Sequence, residues 1–239
     1  MTTVHPRYDV RILKKECVSL ARHGYDVTLL VNDGQDTELV DGVKIISVDN
    51  CRTRRLSRIL FSRKKMLKKA LEINADIYHF HDPELLSVGK ALIKNGKKVI
   101  YDSHEDTPND IRGRYWIPKH CRRLISNLFA LYESYIVRYF DAIITVTPSL
   151  VERFKQYNKN TYMVTNYPML QKTNDSISEK TSKQICFTGI IAPSWCHEYV
   201  LKALKGLDVK YVLAGHNINK YLEYLKTCDG KENLEYLGL

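Results

Sequence analysis

The 239-residue chain has no C-x-x-C pair, no glycine-rich phosphate loop and no apolar run long enough to cross a bilayer. Each absence removes a class of protein. Its six cysteines (Cys17, Cys51, Cys121, Cys186, Cys196 and Cys228) are scattered, which reads as reduced thiols and not as a disulfide framework or a zinc cage. None of the 11 glycines falls in G-x-G-x-x-G or G-x(4)-G-K-[ST], which disfavours a dinucleotide oxidoreductase and a P-loop NTPase. There is no G-x-S-x-G elbow, so an α/β-hydrolase is disfavoured as well. With no secretory signal and no run near the roughly 18 apolar residues of a membrane span, the expectation is a cytoplasmic protein.

What is present is a core and an excess of positive charge. Hydrophobic residues make up 44% of the chain, enough to exclude global disorder. Strand-like apolar runs at 26–31, 43–48, 76–80, 97–102 and 141–146, with a weaker one at 161–165, alternate with helical patterns at 11–23, 54–73, 84–94, 119–139 and 149–157. That alternation predicts a doubly wound α/β domain with a parallel, Rossmann-like sheet. The polar stretch "QKTNDSISEKTSKQ" (171–184) reads as a linker, after which strand and helix patterns restart at 185–189, 197–205, 209–215 and 218–227. Both ends read as cut: a first strand is expected before Thr2, and three strands are few for a second sheet.

Ligands of open parallel sheets sit outside the carboxyl ends of the strands. Three polar clusters fall there: His79, His81, Asp82 and Glu84; Asp102, Ser103, His104, Glu105 and Asp106; and Thr145, Thr147 and Ser149. His79 and His81 point the same way on a strand and could chelate, yet zinc sites draw their histidines from wider or helical spacings, so no metal is expected. Asp82-Pro83-Glu84 reads as a helix start, with Asp82 the N-cap and Pro83 the first helical residue. His81 lies at the crevice end beside a second acid- and histidine-bearing loop, which favours a functional role.

The formal net charge of +10 calls for an anionic partner. Arg52, Arg54, Arg55, Arg58, Arg63, Lys64, Lys65, Lys68 and Lys69 all precede the first acid, Glu72, beside an apolar stripe of Leu56, Ile59, Leu60, Leu67, Ala70 and Leu71. A solvated surface helix normally intersperses acids. A second patch sets Arg112, Arg114, Lys119, Arg122 and Arg123 around Tyr115-Trp116-Ile117. Without a nucleic-acid-binding motif, an anionic membrane surface is the expected partner, with Arg54, Arg55, Arg58, Lys64, Lys65 and Trp116 in contact with it.

The ordered set "TTVHPRYDVRILKKECVSLARHGYDVTLLV", "DIYHFHDPELL", "VIYDSHED", "DAIITVTPSLVERF", "VTNYP" and "ICFTGI…VLKAL…YVLAG" resembles family 4 glycosyltransferases over nearly the whole chain. That resemblance implies a GT-B-like α/β fold, retaining and metal-independent transfer from a nucleotide-diphosphate sugar, and a role in bacterial polysaccharide or glycolipid assembly. It makes 1–168 an acceptor-binding Rossmann-like domain, 169–184 a linker, and 185–239 part of a nucleotide-sugar-binding domain. His81 matches the family's catalytic histidine, with His5, Asp9, Arg11, His79, Asp82, Ser103, His104, Glu105 and Thr147 lining the cleft. Gly189, Ile190, Asn166 and Gly215 fall on the donor side. Trp195, Cys196 and His197 stand where the family usually carries an arginine, and its Glu-x(7)-Glu motif would follow position 239. The implied partners are a nucleotide sugar, a glycan or polyprenyl-linked acceptor and the inner face of the cell membrane. A non-catalytic acceptor-binding fragment and a nucleotide-sugar epimerase are the alternatives.

Overall fold

The computed structural model of the chain describes residues 1–48, 55–114, 116–169, 183–218 and 220–238, the side chains of 55–61 excepted. It divides into two compact units, Met1–Leu170 and Gln171–Leu239. Most of the segment expected to be a linker lies outside the described residues, as does Arg54; of Arg55 and Arg58 only the backbone is described.

The first unit opens with a turn held by Thr2 and runs into a π-helix, Val10–Cys17, which continues as α1, Val18–Arg22. β1 (Val27–Val31), β2 (Glu38–Val40) and β3 (Val43–Ser47) follow. They form a sheet of order β1-β3-β2 in which β1 pairs parallel and β2 antiparallel with β3. α2 (Arg55–Ile73) leads to β4 (Ile77–Phe80), a short 3-10 turn at Pro83–Leu85 and α3 (Leu86–Lys94). β5 (Lys98–Ser103), α4 (Thr107–Gly113), α5 (Lys119–Val137), β6 (Ala142–Thr145), α6 (Pro148–Lys155) and β7 (Thr161–Met163) complete it.

β4 to β7 form an all-parallel sheet in sequence order. Met1 and Thr2 tie the two sheets together. Thr2 N donates to Leu30 O on one side, while on the other Met1 N donates to His79 O and His81 N donates to Met1 O. The chain start therefore occupies a central strand position at the carboxyl ends of β1 and β4. Phe80, Tyr101, Phe140 and Phe154 centre one core, and Ile12, Leu29, Val43 and Ile45 a second. Continuously buried runs such as Leu29–Val31 and Tyr101–Ser103 show why these segments read as strands covered on both faces.

The second unit pairs β8 (Gln184–Thr188), β9 (Lys210–Ala214) and β10 (Leu234–Gly238) in a parallel sheet of order β10-β9-β8. α7 (His197–Leu204) and α8 (Tyr221–Leu225) supply its crossovers. Its own core gathers Leu201, Leu204, Tyr211, Leu213, Tyr221 and Leu225. No helix among the described residues is long and apolar enough to cross a membrane.

Candidate functional site

The π-helix is where local structure and chemistry meet. Asp9 caps it, its carboxylate accepting from the backbone N–H of Arg11 and of Ile12 at 2.9 Å each. A π-helix closes its hydrogen bonds over five residues, so residues five apart lie over one another. Arg11 Nε accordingly stands 3.0 Å from Glu16 Oε1. Both side chains reach the carboxyl ends of β4 and β5.

Asp102 is the hub there. Strand β5 runs one residue beyond the segment read from sequence at 97–102, so Asp102 and Ser103 both belong to the strand and are buried. Arg11 Nη2 donates to both Asp102 oxygens, at 3.1 and 3.0 Å. His104 Nε2 lies 3.2 Å from Asp102 Oδ1, and His79 Nε2 3.5 Å from Oδ2. His81 Nδ1 is 3.2 Å from His104 Nε2 and its Nε2 is 3.5 Å from Glu16 Oε2. The rings of His79 and His81 stack with centroids 4.8 Å apart. His5 closes the group, its centroid 5.8 Å from that of His104 and its Nε2 3.6 Å from Asp82 Oδ1.

The charge states follow from burial and partners. Burial raises the Asp102 carboxyl, but hydrogen bonds from His104 and His79 more than offset it and hold the group well below the usual range. Glu16 moves the other way: burial first, then the neighbouring Asp102 charge, push it up to about 8 against the pull of Arg11. It is a neutral acid at neutral pH. Burial, reinforced by the Met1 ammonium and His79, depresses His81 far below an ordinary histidine, so it is an uncharged imidazole. One proton assignment satisfies the contacts. His104 Nε2–H lies between Asp102 and His81 Nδ1, which leaves the hydrogen of His81 on Nε2, facing Glu16 Oε2.

One donor atom each from Glu16, His81, Asp102 and His104 lies within 4.8 Å of the others, a set that could hold a metal ion. Against that use, the Arg11 guanidinium already contacts Glu16 and Asp102. A fixed cation at the centre repels a second one.

Asp82 departs from its expected role as a helix cap. Its backbone starts the turn, but its carboxylate faces the other way and accepts from Thr2 Oγ1 at 2.9 Å and from Thr3 N and Oγ1. Thr2, in the central strand position, and Thr3 just after it lie beside Asp82, and they claim the carboxylate before the helix can. Ser103 donates to Glu105 O, leaving the Glu105 side chain exposed, and Thr147 caps α6 by accepting from Leu150 N. Asn166 accepts from Lys15 Nζ at 2.7 Å, which ties the "TNYP" segment to the π-helix. Glu16 was missed by the sequence reading. At a period of 3.6 it falls on a different helix face from Arg11, and only the π winding brings the two together.

In the second unit, Gly189 and Gly215 end β8 and β9 with φ of +151° and +139°. A Cβ on Gly215 would lie 1.9 Å from Gly189 O, so only glycine lets the two strand ends meet. Ile190 beside them is exposed. At the position of the expected arginine, Trp195 is exposed, while His197 is buried with Nδ1 2.7 Å from the Tyr211 hydroxyl. Burial lowers the His197 pKa, so this histidine is a core residue and does not substitute for a guanidinium. Of the membrane-facing residues expected from sequence, Lys64 and Lys65 are exposed on α2, and Trp116 is exposed beneath the Arg114 guanidinium, 5.2 Å from the ring centroid.

The sequence model for Glycosyltransferase Family 4 matches residues 11–166, a span that holds Arg11, Glu16, His79, His81, Asp102 and His104. The chain belongs to the family 4 glycosyltransferases. No curated protein matches it in sequence. Among solved structures, sucrose-phosphate synthase from Thermosynechococcus elongatus aligns at TM-score 0.65 and 12% identity, over 95% of this chain and 63% of that one. UDP-N-acetylglucosamine 2-epimerase from Rickettsia bellii aligns at 0.56 and 14%, over 99% and 67%. Acinetobacter baumannii MurG aligns at 0.53 and 13%, over 100% and 66%. The chain thus spans under two thirds of the length of the first of these structures. At such identities the likeness speaks for the fold, which is GT-B-like: a Rossmann-like first unit and a second, smaller unit of the same class.

Proposed function

We propose that this family 4 glycosyltransferase transfers a sugar, with retained anomeric configuration, from a nucleotide-diphosphate donor to a glycan or lipid-linked hydroxyl in cell-surface polysaccharide assembly. The observation that carries the reading is the placement of a neutral, buried His81 with its Nε2 beside Glu16, on a frame of Asp102, His104 and Arg11.

In such a transfer the bond from the anomeric carbon to the diphosphate oxygen breaks and its electron pair stays with the diphosphate. The acceptor oxygen bonds to the same carbon from the same face, and its proton passes to the departing diphosphate oxygen. No protein base and no metal is required. His81 Nε2–H donates a hydrogen bond to a sugar hydroxyl and so fixes the orientation of the ring at the breaking bond. Arg11 and His104 hold the imidazole frame, and Glu16, protonated at neutral pH, adds a second donor beside it. Gly189 and Gly215 on the second unit, with the neighbouring Ile190 backbone, allow close approach to the donor phosphates. The first unit takes the acceptor. The basic face of α2 draws the protein to the anionic inner surface of the cell membrane, where lipid-linked acceptors lie.

The test is sugar transfer to a lipid-linked acceptor by His81→Ala beside the parent. A fall in kcat of about a hundredfold or more with donor KM nearly unchanged is expected. Near-normal turnover would remove His81 from the chemistry. Conversion of the donor sugar without acceptor would instead make the protein an epimerase.

A further inference from the structure

Helix α5 buries one face and leaves the opposite face apolar. Ser126, Glu133 and Val137 are fully buried. On a helix of 3.6 residues per turn, the side opposite them carries Leu124, Leu128, Leu131, Tyr135 and, one turn past the last, Tyr139. These side chains are exposed, from 67% at Leu131 to 48% at Tyr139. Isolated exposed leucines are ordinary, but a continuous row on a helix's outer face marks an interaction surface.

The charge around the row states what kind of surface it meets. From Arg112 to Arg138 the sequence holds a single acid, Glu133, and that acid is buried against Arg153. At the start of the helix Arg112, Lys119, Arg122 and Arg123 line one open pocket. Lys90 reaches over the other end, its Nζ 4.2 Å from the Tyr135 ring centroid. Aromatic residues stand near both ends of the leucines, Trp116 before them and Tyr135 and Tyr139 after. Apolar residues in the middle, aromatics at the ends and cations alongside are the pattern of a helix lying in the interface of an anionic bilayer. A second copy of the chain would bring like charges together across the same face, which disfavours self-association.

We propose that α5 is an interfacial helix, which lays Leu124, Leu128 and Leu131 into the acyl boundary of an anionic phospholipid surface while the cations at its start hold the headgroups. α3 packs against both α5 and α2, which links the apolar helix to the basic one. This extends the membrane reading given above to a second, apolar element, and rests on none of the transfer chemistry.

The experiment is co-sedimentation of the full chain with vesicles of equal phosphatidylglycerol and phosphatidylcholine, compared with phosphatidylcholine alone, with no sugar donor added. The chain should bind the anionic vesicles, and the variant Leu124→Gln/Leu128→Gln/Leu131→Gln should bind at least tenfold more weakly with an unchanged thermal melt. In a Trp195→Phe background, brominated phosphatidylglycerol should quench Trp116, a readout that leaves the leucines intact. Vesicle binding equal in parent and leucine variant overturns the proposal, as does absence of quenching. Loss of binding in Lys64→Glu/Lys65→Glu alone would assign docking to α2 only. Self-association of the parent without vesicles, abolished in the leucine variant, would make the face a dimer interface instead.

Discussion

Arg7 is a buried cation whose neighbours fully engage it. Its Nε and Nη2 donate to the two Asp33 oxygens at 2.7 and 3.0 Å, and its Nη1 donates to Glu38 Oε1 and Asp36 O at 2.8 Å each. These bonds pin the opening turn, and hence His5 and Asp9, to the loop after β1. They also hold the Asp33 carboxyl down at about 2, hydrogen bonding to Arg7 outweighing burial. A depressed folded-state value means that this stabilisation is present above the ordinary aspartate range and is lost as pH falls from about 4 toward 2. Arg7→Ala should cost about 1–3 kcal/mol at neutral pH, since it removes the charged hydrogen bonds to the partly buried Asp33 carboxylate. It should also flatten the loss of stability between about pH 4 and pH 2. Urea melts at neutral pH and at both acid points check it; an acid dependence equal to the parent's would show that the Arg7 pairing is not its source. At the same scale the sequence showed His79, His81, Asp102 and His104 gathered at adjacent strand ends, because the strand-end rule needs only the order of elements. It could not show that Asp82 turns to Thr2 and Thr3, since that depends on where the chain start is seated.

At the scale of elements, periodicity carried most of the reading. β1, β3, β4, β5 and β6 match apolar runs within a residue or two, and α2, α3, α5 and α6 match amphipathic stretches. The exceptions have physical causes. β2 is three residues long with Leu39 exposed, too short to show alternation. α4 starts on Asp106 and Pro108, which read equally as loop. The π winding of Val10–Cys17 changes which residues share a face, and so it concealed Glu16. The outer face of α5 was concealed differently: the helical pattern at 119–139 does not say which side faces the core, and only the burial of Ser126 and Glu133 shows that the leucines lie opposite it. Gly89 in α3 is a further case. Alanine there would raise intrinsic helix propensity by about 1 kcal/mol, yet its Cβ would stand 2.7 Å from the Phe80 ring and 2.9 Å from the Phe140 ring. These rings are packed against Tyr101 in the core and cannot both withdraw. Overpacking of this kind costs about 1–3 kcal/mol. Gly89→Ala should therefore destabilise the first unit by up to about 2 kcal/mol in urea unfolding; a gain in stability would mean that the rings give way easily.

At the scale of the whole molecule, two units with separate cores imply separate stabilities. The first has two cores and two sheets joined through Met1 and Thr2; the second has one small core behind three strands, of which β8 and β10 are largely exposed. A core of that size supplies only a few kcal/mol, so the second unit should open more readily than the first. Hydrogen exchange read by mass spectrometry can compare buried central strands directly, β5 for the first unit and β9 for the second. Amides of Tyr211 to Leu213 are expected to exchange faster than those of Tyr101 to Ser103. Leu201 is fully buried in the second core, and Leu201→Ala should remove about 2–5 kcal/mol there, which corresponds to faster β9 exchange by roughly 30-fold or more. β5 should be unaffected, because none of its core contacts involve Leu201. Equal acceleration in both strands would mean that the units unfold together. The frame that holds His81 would then depend on the stability of the second unit.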